Sequence, residues 1–340
     1  LRVMDILVIP ISSIPQIELK YPGKFIKHDY ERRTLARTYL QARTSVKDGK
    51  GRYSDIAPAR RDAEFNRAIV LARIFGASPH GWVLKGGNAL LWRDTKARAT
   101  RDIDLFSTQS TIQDAHKALQ DILIRTPAHI PPDDVVMRLR EKGNIVMPGD
   151  KAGRKLQVAI LSKASGAPVC SPIDIDLVVG DITTAPYESY PGNDLAEVFD
   201  VPEMPNISLY PLVDHIADKV TATMQVYPGV GHCGSRSTRI KDLVDIPVLA
   251  QQSLGIRAAD LYKALEAKRL ENNLDPYYKG LIFPENWNDQ EYRKLIAKSV
   301  DEPQVFPESY SQAQNFAQNF LDQVMKGELK EEVWNGEAWV

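Results

Sequence analysis

Cysteine is almost absent from this 340-residue chain: there are two, Cys170 and Cys233, and neither sits in a C-x-x-C or Cys/His cluster. That argues against a disulfide framework and a structural zinc site, and it fits a reducing compartment. Net charge is missing too. The 43 Lys and Arg are balanced by 44 Asp and Glu for a formal charge of −1, so any nucleic-acid surface must be a local patch. No apolar run approaches the roughly 18 residues of a membrane span. Residues 1–10 carry one basic residue and no small-residue cleavage pattern, so they read as a strand rather than a secretion signal. The expectation is a cytoplasmic protein with no membrane contact. What the chain does have is length and apolar content enough for one large domain or two.

Periodicity divides the chain. Residues 1–20 read as a strand and a Pro-punctuated segment, 30–42 as an Arg-containing helix, and 44–56 as a polar loop. Helical spacing returns over 58–75 and again over 111–125, where Ile112, Ala115, Leu119, Ile122 and Leu123 recur and Ser110 or Thr111 can cap. Strands are expected at 82–85, 102–107, 135–139, 144–147, 156–161 and 173–179. Residues 181–210 hold Pro186, Pro191, Pro202 and Pro205 and read as a connector, after which the chain is helical. Pro247 should kink or end the helix it lies in. This order gives an α+β class, not a repeated βαβ unit. The domains read as an N-terminal extension over 1–57, a mixed-sheet catalytic domain over 58–205 and a helical domain over 206–340.

The chemistry gathers in Val83-Leu84-Lys85-Gly86-Gly87-Asn88 and, about a dozen residues on, Arg101-Asp102-Ile103-Asp104-Leu105. Glycines at a strand-to-helix turn let backbone N–H groups approach a phosphate at the helix N-terminus. By strand alternation Asp102 and Asp104 share one face while Ile103 and Leu105 take the other. Paired carboxylates suit Mg²⁺ or Mn²⁺, which complete their shells from water and substrate phosphates. A D-x-D pair alone is common, and the glycines alone are also what a tight turn needs. A third carboxylate is available in Ile173-Asp174-Ile175-Asp176, where Asp174 and Asp176 again share one face; Asp174 is the first choice and Asp176 stays open.

Lys85-Gly86-Gly87, Asp102-Ile103-Asp104, Pro172-Ile173-Asp174, a helical Lys219 and a later Lys241-Asp242-Leu243-Val244-Asp245 occur in an order that resembles the AbiEii/AbiGii-type toxin nucleotidyltransferases of the polymerase-β-like superfamily. The resemblance covers about residues 58–252. It implies a polymerase-β-like catalytic domain followed by helices, with metal on Asp102 and Asp104 and catalytic parts for Lys219 and Asp245. Lys85, Gly86, Gly87, Arg101, Lys219 and Asp242 would serve the nucleotide. It also implies an NTP substrate, an RNA acceptor such as a tRNA 3′ end, and a cognate antitoxin. On a helical wheel Lys219 lies at the border of an apolar face, with its ammonium expected to reach outward. The segment between Gly87 and Asp102 holds Arg93, Lys96, Arg98 and Arg101, and reads as a basic loop near the triphosphate or acceptor. Residues 228–235 form a Gly-rich connector, and His232-Cys233 is a poor metal pair. Two other readings remain: transfer of a nucleotide to a protein hydroxyl, and a non-catalytic nucleotide-binding protein.

Overall fold

The structure is a computed structural model that describes residues 37–340 apart from 79, 126–129, 148–150, 228–234, 278 and 301–305. The early helices start where their caps allow. Thr38 and Gln41 exchange side-chain and backbone hydrogen bonds to begin α1 (Tyr39–Lys47), and Pro58, whose missing N–H costs nothing in a first turn, opens α2 (Pro58–Ala77). The polar 44–56 stretch is therefore part helix, continuing from α1 into a 3-10 turn at Gly51–Asp55. Buried Tyr39, Val46, Tyr53 and Ile56 supply the packing that its polar composition hides. The readings of residues 1–20 and of 30–36 lie outside the described residues.

A short buried strand, β1 (Trp82–Lys85), then runs directly into α3 (Gly86–Arg93). After it come β2 (Ile103–Ser107), α4 (Ile112–Ile124), which Thr111 caps, β3 (Val135–Ile145), β4 (Ala152–Ser162) and β5 (Ile173–Val179). The two strands expected over 135–147 are one. Arg140, Glu141 and Lys142 interrupt its apolar pattern because the distal half leaves the core, and a bulge at Glu141/Gly143 carries the pairing onward. The 181–210 connector also holds more than expected: β6 (Glu188–Tyr190), α5 (Asn193–Phe199) and β7 (Ile207–Leu209).

These strands form one mixed sheet in the order β3-β4-β5-β2-β1-β7-β6, with β2 antiparallel to β1 and parallel to β5. The remainder is helical: α6 (Leu212–Met224), a two-stranded ribbon of β8 (Val226–Tyr227) and β9 (Ser235–Arg236), then α7 (Lys241–Gln252), α8 (Ala258–Glu271), α9 (Asp289–Ser299) and α10 (Tyr310–Met325). Pro247 does not end α7. The helix continues to Gln252 because Leu243, Val244, Ile246, Val248 and Leu249 are all buried, and that packing outweighs one missing backbone hydrogen bond.

The class is α+β, and the apolar core falls into two main clusters. One lies under the sheet and ends at Leu209; the other joins the C-terminal helices from Leu212 onward with Leu90, Leu91 and Ala97. Helix α3 bridges them, placing Ala89 in the first and Leu90 and Leu91 in the second. The β1–α3 turn is thereby held at the seam. No helix among the described residues is long and apolar enough to cross a membrane.

Candidate active site

The site grows from the β1–α3 turn. Gly86 has φ +58°, a left-handed conformation, and a β-carbon there would collide with the Asp104 carboxylate. Both facts require glycine. A β-carbon at Gly87 would press on the Thr100 side chain, so the next residue is small for the same spatial reason. Antiparallel pairing sets Lys85 opposite Asp104, and parallel pairing sets Asp104 beside Asp176. Ile103, Leu105, Ile175 and Leu177 are buried on the opposite face, as the alternation predicts. Asp102 stands one residue before β2, where the Asn88 side-chain amide donates to its carbonyl at 2.5 Å and fixes the approach.

These residues line a cavity of about 420 Å³. Lys85, Gly86, Gly87, Asp102, Asp104 and Asp176 form its sheet side; His215, Asp218, Lys219 and Lys241 come from the helices; Ile145, Val146, Met147 and Lys151 come from the β3–β4 arm. Asp174, expected as the third carboxylate, does not line it. That side chain sits farther along β5, accepting from Lys142 at 3.0 Å and from Gln157 at 2.8 Å. Asp176 takes the place instead. Arg101 is exposed and is not among the lining residues.

Lys219 also differs from expectation. Its ammonium is not turned outward but buried between Asp242 at 2.8 Å and Asp245 at 2.7 Å. Arg98 grips Asp245 through two nitrogens at 2.8 and 3.0 Å, and Arg239 grips Asp242 at 2.7 Å. The basic segment after Gly87 is thus largely tied down, since Arg93 likewise donates to Glu188 and to the Tyr210 carbonyl. The reason is tertiary: α7 presents both aspartates to α6, and charge finds charge where water is excluded.

Sequence reasoning missed a second charge cluster behind the cavity. Asp181, whose side chain is fully buried, receives Lys85, Lys151 at 2.8 Å and Lys268 at 2.9 Å. Asp218 adds to it, 3.3 Å from Lys85 and 3.2 Å from Lys268, and Glu271 lies 2.6 Å from Lys151. The cluster ties β1, the start of β4 and the end of β5 to α6 and α8. Nothing in the local sequence marks Asp181 apart from its place one residue beyond Gly180, which follows β5. Lys241, at the head of the Lys-Asp-x-x-Asp motif, lines the cavity, and no carboxylate ion pair is seen for it among the described residues.

Electrostatics separates these groups. Burial first, and the neighbouring Asp102 carboxylate second, push Asp104 above the ordinary carboxylate range against the pull of Lys219, Lys241 and Lys85. Burial and then Asp104 raise Asp176 in the same way. For Asp242 burial is outweighed by Lys219 and Arg239, and its carboxyl is held well below that range. Burial and then the Arg239 and Arg98 guanidiniums lower the Lys241 ammonium. Among the described residues no three His, Cys, Asp or Glu side chains converge closely enough to hold an ion by themselves. The donor set nonetheless fits a hard divalent ion: carboxylate oxygens with no lysine in ion-pair contact among the described residues, beside a turn that offers amides to phosphate.

Comparison with known proteins gives the family. No curated protein matches the chain. Two solved structures from Helicobacter pylori are similar over 81% of this chain at 15% identity: JHP933, over 94% of its length with a TM-score of 0.38, and a candidate nucleotidyltransferase, over 97% with a TM-score of 0.40. The family model for the nucleotidyl transferase AbiEii toxin of type IV toxin–antitoxin systems matches residues 69–335, well beyond residue 252 where the sequence motifs stop. The chain belongs to the AbiEii family of nucleotidyl transferase toxins.

Proposed function

We propose that the protein transfers a nucleotide from an NTP to an acceptor hydroxyl in this cavity with Mg²⁺ or Mn²⁺, and that it does so as the toxin of a toxin–antitoxin pair. The observation carrying the reading is the pair Asp104 and Asp176, side by side in the sheet, both raised by burial and by a neighbouring carboxylate (Asp102 for Asp104, Asp104 for Asp176), with Asp104 packed against Gly86. Asp102, Asp104 and Asp176 would hold the metal, which supplies charge neutralisation at the reacting phosphoryl group and takes its other ligands from water and phosphate. The backbone amides that open α3 at Gly86 and Gly87 would bind the triphosphate, and Lys241 offers it a cation. The acceptor oxygen attacks the α-phosphorus, the bond to pyrophosphate breaks, and the acceptor proton passes to the Asp176 carboxylate.

Lys219 is then a positioning residue. It locks Asp242 and Asp245 of α7 onto α6, and so fixes Lys241 at the mouth of the site. The change of core between Leu209 and Leu212 supports two domains meeting near residue 205, with the cavity between them. Following the family resemblance, we take RNA as the acceptor, with a tRNA 3′ end as the form to test first, and an antitoxin as the partner.

Incubation with each labelled NTP, Mg²⁺, and either total RNA or lysate protein should label RNA 3′ ends. Asp102→Ala and Asp104→Asn should reduce the label to background while the chain stays folded. Label in the protein pool alone would replace the RNA reading by protein modification. Undiminished transfer by Asp102→Ala would sink the catalytic assignment.

A further inference from the structure

His215 is a polar side chain in the cavity wall whose two ring nitrogens the fold leaves unanswered. It lies on α6, one turn before Lys219, with 2% of its surface exposed. Neither ring nitrogen has a hydrogen-bond partner among the described residues, yet the ring lines the cavity. Its neighbours are engaged: Lys219 with Asp242 and Asp245, Lys85 with Asp181 and Asp218, Arg93 with Glu188 and the Tyr210 carbonyl. A buried imidazole with both nitrogens open is costly to keep unless something that enters the cavity completes it.

The surroundings say what that something is. After its burial, the charges that act most on the ring are those of Lys219 from α6, Arg93 from α3 and Lys85 from β1, opposed by Asp242 from α7. A cationic ligand is disfavoured there. Burial, and then those same cations, hold the imidazole far below its ordinary range, so the ring is neutral and keeps one N–H to donate. An anionic oxygen accepts that hydrogen bond and gains from the cations as well. The Gly86 turn, with the amides that open α3, borders the same cavity.

We propose that His215 is a phosphate-binding residue, donating a ring N–H to a non-reacting phosphate oxygen of the nucleotide at the Gly86 end of the cavity. The inference rests on the nucleotide-transfer reading of the site, but a binding measurement tests it separately. Inorganic tripolyphosphate and each of the four NTPs, with Mg²⁺, are titrated calorimetrically into the full chain and into His215→Ala and His215→Asn. Loss of a donor to a charged oxygen should weaken tripolyphosphate and the NTPs alike by about tenfold or more. The Asn variant, which keeps an N–H, should recover part of the loss. Thermal unfolding of both variants confirms that they are folded, and Asn carries the comparison if Ala is not.

Wild-type affinity for tripolyphosphate in both folded variants overturns the proposal, as does a loss confined to one NTP, which would indicate a base or sugar contact. A wild-type chain that binds tripolyphosphate but transfers nothing leaves His215 standing and sinks the enzymatic reading. A wild-type chain that binds neither tripolyphosphate nor any NTP overturns both.

Discussion

Two sets of buried carboxylates flank the same cavity and are treated oppositely by the fold. Asp104 and Asp176 stand next to each other on adjacent strands and are raised. Asp181 and Asp242 are no less buried, yet Lys85, Lys268 and Lys151 hold the first, and Lys219 and Arg239 the second, far below the ordinary carboxylate range. Burial raises all four, least at half-buried Asp176; what differs is whether a lysine or arginine sits in ion-pair contact with the carboxylate. Folding completes the second set and leaves the first incomplete. A carboxylate pair that the protein declines to neutralise is the one that awaits something from solution.

Removing one member of each set should therefore have opposite consequences for stability. Asp181→Asn leaves Lys85, Lys151 and Lys268 crowded around a neutral amide, with Asp218 and Glu271 as the remaining partners. Breaking a buried pair of this kind costs about 3–5 kcal/mol. Asp104→Asn removes a charge that is unfavourable in the metal-free protein, so urea unfolding should show equal or greater stability. A fall of similar size in both variants would erase the distinction between the two sets.

Acid and metal sharpen the comparison further. Asp181 and Asp242 have depressed folded values, so their contribution is present above the ordinary carboxylate value and is lost as pH falls through their folded values. Asp104 and Asp176 have raised values, so their contribution is complete below the ordinary carboxylate value and is lost as pH rises through the folded ones. In metal-free protein the advantage of Asp104→Asn should thus vanish in acid and be greatest near neutrality. Saturating Mg²⁺ should reverse the order there, stabilising the wild type by about 2.7 kcal/mol at a hundredfold excess over its Kd and the variant far less. Equal Mg²⁺ stabilisation of both would place the ion elsewhere.

How legible this was from the sequence depends on the range of each constraint. The Gly86-Gly87 turn and the Ile173-Asp174-Ile175-Asp176 alternation could be read because their causes are local: a positive φ and a close approach, and a period of two. The helical character of the chain beyond residue 210 was legible from its own periodicity. The ion pairs could not be read. A sequence shows a charge but not its partner, and Lys219 meets Asp242 from 23 residues away while Asp181 meets Lys268 from 87. Hence Lys219 looked like a surface cation and Asp181 like nothing at all. The helical segments inside 44–56 and 181–210 were hidden by polar and proline-rich composition, because packing rather than propensity made them.

The smallest expected effect falls on the residue that local reading favoured. Alternation puts Asp174 and Asp176 on one face, and only the register between β2 and β5 separates them: Asp176 is paired with Asp104, while Asp174 lies beyond the start of β2, opposite Gln157. Asp174 is also 46% exposed and bonded to Lys142, which with Gln157 lowers its carboxyl despite partial burial. Such surface pairs contribute about 0–1 kcal/mol. Asp174→Asn should therefore leave nucleotide transfer within about threefold and stability within about 0.5 kcal/mol of wild type, a change outside the cavity and of ordinary surface size. Asp176→Asn, one alternation along, should abolish Mg²⁺-dependent transfer without loss of stability. The reverse result, with Asp174 essential and Asp176 dispensable, would mean that the strand register and not the residue choice had been misread.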